Sequence, residues 1–130
     1  MKKEDLIIGD WVTRRGVPEE HMRICGMNVL AGVVYLDQDG CGVTEKFENI
    51  EPIPLTTEIL EKNGWILKEF GCHKQFQYSF EDYDTEIILK IDYEKPNFIV
   101  SFFRTSFELK YVNDLQHALK LCGIEKEIVL

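Results

Sequence analysis

Ile50-Glu51-Pro52-Ile53-Pro54-Leu55-Thr56-Thr57-Glu58-Ile59-Leu60-Glu61-Lys62-Asn63-Gly64-Trp65 decides how the chain is divided. Pro52 and Pro54 fix φ and hold Glu51 and Ile53 extended, so no helix runs through them and one must start after Pro54. Thr56 is placed to cap it, with Glu58 in the first turn where the helix dipole favours a carboxylate. Leu55 and Leu60 take the staple positions. Asn63-Gly64 is the stop, with Gly64 in the left-handed conformation and Trp65 folded back over Leu60. Two turns of helix are marginal alone, so Ile59, Leu60 and Trp65 must pack.

Outward from this joint, residues 1–51 read as a small β unit. Leu6 to Gly16 gives a turn at Gly9-Asp10 and a strand ending at Gly16, followed by a polar connection at Pro18-Glu19-Glu20. His21–Met27, with Met22 and Ile24 on one face, and the β-branched Val29–Leu36 then pair as a hairpin around Gly26-Met27-Asn28. After the turn-rich Asp37–Gly42, Val43–Phe47 returns as a strand. Short strands at this spacing predict an SH3-like curled sheet or barrel.

Residues 52–64 form the proline passage and short helix, and residues 65–130 hold the larger core, since twelve of the fifteen aromatic residues lie after Pro54. Trp65–Phe70, Gln75–Phe80, Glu86–Tyr93, Phe98–Arg104 and Phe107–Tyr111 alternate or are apolar throughout, which predicts a meander of about five antiparallel strands. Its cover is a helix over Asn113–Cys122, capped by Asn113 with Gln116 and stopped by Gly123. Ile124–Leu130 follows as a terminal strand or docked tail. The expected class is α+β, with the two lobes rigidly packed, because the joint is stiffened by prolines where a flexible linker would be Gly- and Ser-rich.

The composition narrows function mainly by exclusion. The 130 residues are 45% hydrophobic and carry a net charge of −8, enough for a folded core and adverse to phosphate backbones at long range. Apolar runs such as Asn28–Leu36 fall short of the roughly 20 residues of a membrane span. Met1-Lys2-Lys3-Glu4-Asp5 has acidic residues where a signal peptide needs its apolar stretch, so a cytoplasmic home is expected. Cys25, Cys41, Cys72 and Cys122 include no C-x-x-C pair and read as small buried or partly buried thiols. Asp37-Gln38-Asp39-Gly40 begins like a calcium loop but lacks its later ligands and flanking helices, and is read as a hairpin turn. Cys72-His73 point apart on an extended chain. Glu81-Asp82-Tyr83-Asp84 is read as a solvated loop, and His117 falls on the solvent side of its helix. No cofactor, metal or catalytic set is expected.

Two surfaces are candidates. Trp11 with Arg14, Arg15 and Arg23 offers stacking and phosphate contacts for nucleic acid or another anion, although Arg14 and Arg15 share a side only if the strand ends there. Ile88, Ile99 and Phe103, if they share the uncovered sheet face, predict either a partner surface, a second copy in a homodimer included, or packing against the first lobe.

Ile7-Ile8-Gly9-Asp10-Trp11-Val12, the Ile50–Trp65 stretch, Lys110-Tyr111-Val112-Asn113-Asp114-Leu115-Gln116-His117-Ala118-Leu119 and Gly123–Leu130 together resemble a group of small uncharacterised proteins encoded by phages, prophages and mobile elements of Bacteroides-type bacteria. In that group the later motif more usually reads Y-[VL]-H-x-L-Q-N; here Asn113 stands at the His and His117 at the Asn. The resemblance implies a bacterial or phage origin and a cytoplasmic setting, and it carries over no active site. The expected function is a non-enzymatic module binding a host or phage protein, the alternative being nucleic-acid binding through the N-terminal unit.

Overall fold

The computed structural model describes residues 5–38, 40–70, 73–80, 85–92, 97–102 and 105–130. The chain is α+β and divides into two compact units: Met1–Pro54 with Tyr111–Gln116, and Leu55–Lys110 with His117–Leu130. No helix is long and apolar enough to cross a membrane.

In the first unit β1 (Trp11–Arg14), β2 (Val17–Asn28), β3 (Val33–Gln38), β4 (Cys41–Lys46) and β5 (Ile50–Pro52) form one antiparallel sheet in the order β4-β3-β2-β1-β5, with a 3₁₀ turn at Phe47–Asn49 before β5. Alternation buries Met22 and Ile24 on β2 and Val34 and Leu36 on β3, and these join Leu6, Val12 and Ile50 in one core. The expected barrel is not closed. β4 and β5 are the two edges and do not pair with each other; β5 is three residues long and ends on a proline that has no N–H to give.

Pro18-Glu19-Glu20 is not a connection but part of β2, and the tight turn lies at Arg15-Gly16, with Arg14 opposite Val17. Beyond that pair the register jumps to Val12 opposite Met22, and this irregularity takes up the proline, which cannot serve a regular central ladder. The next turn is Val29–Gly32 rather than Gly26–Asn28, so Val29 and Leu30 leave the expected strand for the hairpin tip. Strand-forming side chains outweighed weak turn signals in that reading, whereas the pairing Asn28↔Val33 sets the loop.

The second unit is the expected meander. β6 (Ile66–Phe70), β7 (His73–Phe80), β8 (Thr85–Asp92), β9 (Asn97–Phe102) and β10 (Thr105–Leu109) lie in the order β10-β9-β8-β7-β6, all antiparallel. Phe76 and Phe98 are buried and meet edge to face at 6.1 Å.

Both helices end as their sequences dictate. In α1 (Thr57–Lys62) the Ile59 N–H donates to Thr56 Oγ1 at 3.3 Å. The Glu58 carboxyl is held below its usual range, first by its own backbone N–H and then by the Thr56 hydroxyl. Trp65 N donates to Leu60 O at 3.0 Å and Gly64 N to Glu61 O at 3.1 Å, the paired bonds of a Schellman motif. The same two bonds close α2 (Val112–Leu121), from Ile124 N to Leu119 O at 2.9 Å and from Gly123 N to Lys120 O at 3.0 Å. At its start α2 departs from expectation. Asp114 accepts from Tyr111 N at 2.9 Å and does the capping, which leaves Asn113 and Gln116 to other uses. Ile124–Leu130 forms no strand, but Ile124 and Ile128 are buried.

Candidate functional site

The four residues of the proposed anion surface form two separate sets. Trp11 and Arg23 face each other across β1 and β2, with Arg23 Cζ 5.2 Å from the indole centroid and its Nε donating to Gly9 O at 3.4 Å. This is a cation–π stack on the sheet surface. Arg14 and Arg15 sit at the other end of β1. The strand does end there, and both line one pocket of about 320 Å³ with Val17, Glu45 and Asn49.

Carboxylates offset the charge of this pocket. Arg14 is paired with Glu20, whose hydrogen bond and charge push the guanidinium further above its already high value. Arg15 is paired with Glu51 at 3.4 Å, and Glu45 accepts from Asn49 Nδ2 at 2.9 Å. Exposed pairs such as Arg15 with Glu51 are weak, but a phosphate must still displace them and approach Glu45. The arrangement suits a solvated strand end better than an anion site.

The apolar face read from the sequence is only partly covered by the described residues. Ile99 is half-buried on β9, only the backbone of Ile88 is described, and Phe103 is outside the described residues. At the β2–β3 tip, by contrast, Val29 is 51% exposed and Leu30 fully exposed at 101%. The tip is firmly built. Ala31 N donates to Asn28 Oδ1 at 3.1 Å, Gly32 N to Val29 O at 3.2 Å, and Phe47 N to Gly32 O at 3.2 Å. A backbone so held needs little further ordering if a partner covers the tip, whereas the exposed side chains still lose rotamer freedom.

Other candidates dissolve into local structure. Gly40 N donates to Asp37 Oδ1 at 3.0 Å, so Asp37 closes its own turn; Asp39, Cys72 and Glu81–Asp84 lie outside the described residues. Cys25 is exposed and Cys122 half-buried, both free thiols, and burial pushes the Cys122 thiol up, away from reactivity. His117 is half-buried on α2. Among the described residues no three His, Cys, Asp or Glu side chains gather as a metal site. No protein-family model, curated protein or solved structure matches the chain.

What the structure does bring together are distant stretches within each unit, through two side-chain amides. In the first unit Gln116 Oε1 accepts from Trp11 N at 2.9 Å and its Nε2 donates to Gly9 O at 3.0 Å. It acts as an extra strand residue beside the Gly9–Trp11 backbone. Nearby Val112 N donates to Ile53 O at 2.8 Å, and Asp10, buried, accepts from Ile7 N at 2.9 Å. In the second unit Asn63 does for the C-terminal tail what Gln116 does for β1: Nδ2 donates to Val129 O at 2.7 Å and to Ile59 O at 2.8 Å, and Oδ1 accepts from Val129 N at 2.7 Å. Neither role was foreseen. A buried amide in a helix or at its stop was the available signal, but its partner is about a hundred residues away in one case. Asn113 is buried with no partner for Oδ1 among the described residues.

Proposed function

We propose that this protein is a non-enzymatic protein-interaction module of phage or mobile-element type, cytoplasmic in setting, and that it grips its partner by the apolar hairpin tip Val29-Leu30-Ala31. The observation that carries this reading is Leu30, wholly exposed on a turn held by three hydrogen bonds. A fully solvated leucine on the fixed turn that follows a twelve-residue strand serves no core. It costs hydration in the free protein and returns about 1.5–3 kcal/mol when a pocket covers it. The acidic net charge of −8 favours a partner with a basic surface around that pocket.

The test uses the full chain as bait in lysate of a Bacteroides-type bacterium, beside Leu30→Asp. Because Leu30 touches only solvent, the variant folds as the wild type does, and circular dichroism checks this. A protein retained by the wild type and reduced roughly tenfold or more by Leu30→Asp is the expected result. Retention of nothing, or equal retention by both baits, overturns the reading.

A second reading, nucleic-acid binding, rests on Arg14 and Arg15 lining one pocket. Given Glu20, Glu45 and Glu51 around them, fluorescence polarisation at low salt is expected to show no binding of single- or double-stranded probes at micromolar protein. Salt-dependent binding that weakens on Arg15→Glu would put this reading in place of the first.

A further inference from the structure

The pocket lined by Arg14, Arg15, Val17, Glu45 and Asn49 opposes a phosphate, but it is built from both charges. Its guanidinium groups come from the β1–β2 turn, and its carboxylate and amide from β4 and the 3₁₀ turn before β5. Hydrogen bonds of the backbone fix these pieces to one another. Arg14 stands opposite Val17 and Ile50, Arg15 N donates to Asn49 O at 2.8 Å, and Thr13 Oγ1 donates to Val17 O at 2.6 Å.

The ion pairs around the pocket do not exhaust its polar groups. Arg15 meets Glu51 through Nε, and the forked end of its guanidinium is engaged by none of the described residues. Arg14 holds Glu20 through Nη2, while its Nε has no acceptor among the described residues. Glu45 takes Asn49 Nδ2 at 2.9 Å and Lys46 N at 3.3 Å on one oxygen, Oε1, which leaves Oε2 without a donor among the described residues.

We propose that this pocket binds a free α-amino acid with a basic side chain, its carboxylate on the fork of Arg15 beside Arg14 and its α-ammonium on Glu45. A lone anion meets Glu45, and a lone cation meets Arg14 and Arg15. A ligand that carries both charges on one carbon is opposed by neither. The basic side chain follows from the surplus, since Glu20, Glu45 and Glu51 outnumber the two arginines by one charge. Its aliphatic stem has Val17 to lie against. A volume of about 320 Å³ is at the small end of ligand sites and suits about ten non-hydrogen atoms.

The test is an NMR titration of the isotope-labelled full chain with L-lysine. Two probes run beside it: cadaverine, which lacks the carboxylate, and Nα-acetyl-lysine, which lacks the α-ammonium. Saturable shifts of the Arg15, Val17 and Asn49 amides are expected at millimolar L-lysine or below, with each truncated probe at least about fivefold weaker. Glu45→Gln keeps an oxygen for Asn49 Nδ2, and Arg15→Gln gives up only an exposed pair, so both variants fold. Each weakens L-lysine about fivefold or more, whereas Leu30→Asp, at a different hairpin tip, leaves it unchanged. No saturable shift up to about 10 mM L-lysine overturns the proposal. So does either truncated probe binding as well as L-lysine, or L-lysine binding that is indifferent to Glu45→Gln and Arg15→Gln.

Discussion

Asn63→Ala is expected to destabilise the second unit by roughly 2–4 kcal/mol, seen as a fall of about 10 °C in its melting temperature. Three part-buried hydrogen bonds of 2.7 to 2.8 Å leave with the amide, and the Val129 N–H and C=O lose their partner. The side chain is only 7% exposed, so water does not simply replace it. Asn63→Asp sharpens the case. The carboxylate keeps the acceptor for Val129 N but sets a second oxygen against the carbonyls of Ile59 and Val129. The folded state therefore favours the protonated acid, which raises the pKa of residue 63. A raised carboxyl pKa means a loss of stability that is complete at neutral pH and shrinks as pH falls towards the ordinary aspartate range near about 4. Thermal melts of both variants from pH 7 down to pH 4 measure this. If Asn63→Asp tracks the wild type at every pH, the amide clamp is not what holds the tail.

Gln116 shows the same device in the first unit, and the pair explains what could be read in advance. Local signals are legible because their partners lie within a turn or two: Thr56 and Ile59, Gly64 and Glu61, Gly123 and Lys120 all answer to rules of spacing. The five-stranded meander is legible for a similar reason, since each strand pairs with its neighbour in sequence and alternation marks the faces. Asn63 and Gln116 read as an ordinary helix stop and an ordinary helix residue, because nothing near them in sequence names Val129 or Trp11.

The first unit misled where two rules competed. Pro18 signals a break, yet an irregular register absorbs it within β2. Val29 and Leu30 carry β propensity, yet the turn bonded from Gly32 to Val29 claims them for the tip. Leu30 reads as a strand residue by the same propensity, and only the turn brings it to the surface. Distant stretches join one another within each unit: Gly9–Trp11 with Gln116, Ile53 with Val112, and Asn63 with Val129. Such stretches are constrained by their mutual hydrogen bonds, and no rule of local spacing names one from the other.

Gly64 and Gly123 separate backbone strain from packing, because both close a helix with the same pair of bonds and both hold positive φ, at 90° and 72°. A Cβ at Gly123 meets nothing within 4 Å, whereas one at Gly64 stands 2.9 Å from Tyr78 Cε2. Tyr78 has little room to yield. Its ring centroid lies 4.9 Å from that of Trp65, and the Lys126 ammonium sits 4.3 Å above its ring and 3.3 Å from its hydroxyl. Gly123→Ala should therefore cost about 1 kcal/mol, the left-handed penalty alone. Gly64→Ala carries that penalty and an overpacking term of about 1–3 kcal/mol, together roughly 2–4 kcal/mol. Chemical denaturation of the two variants gives the difference directly. In a Tyr78→Ala background the Gly64→Ala cost should fall to the Gly123 value, a coupling that a backbone effect cannot produce. Equal costs at the two glycines in the wild-type background would mean that the Trp65–Tyr78–Lys126 stack gives way, and that the joint is held by its hydrogen bonds rather than by its packing.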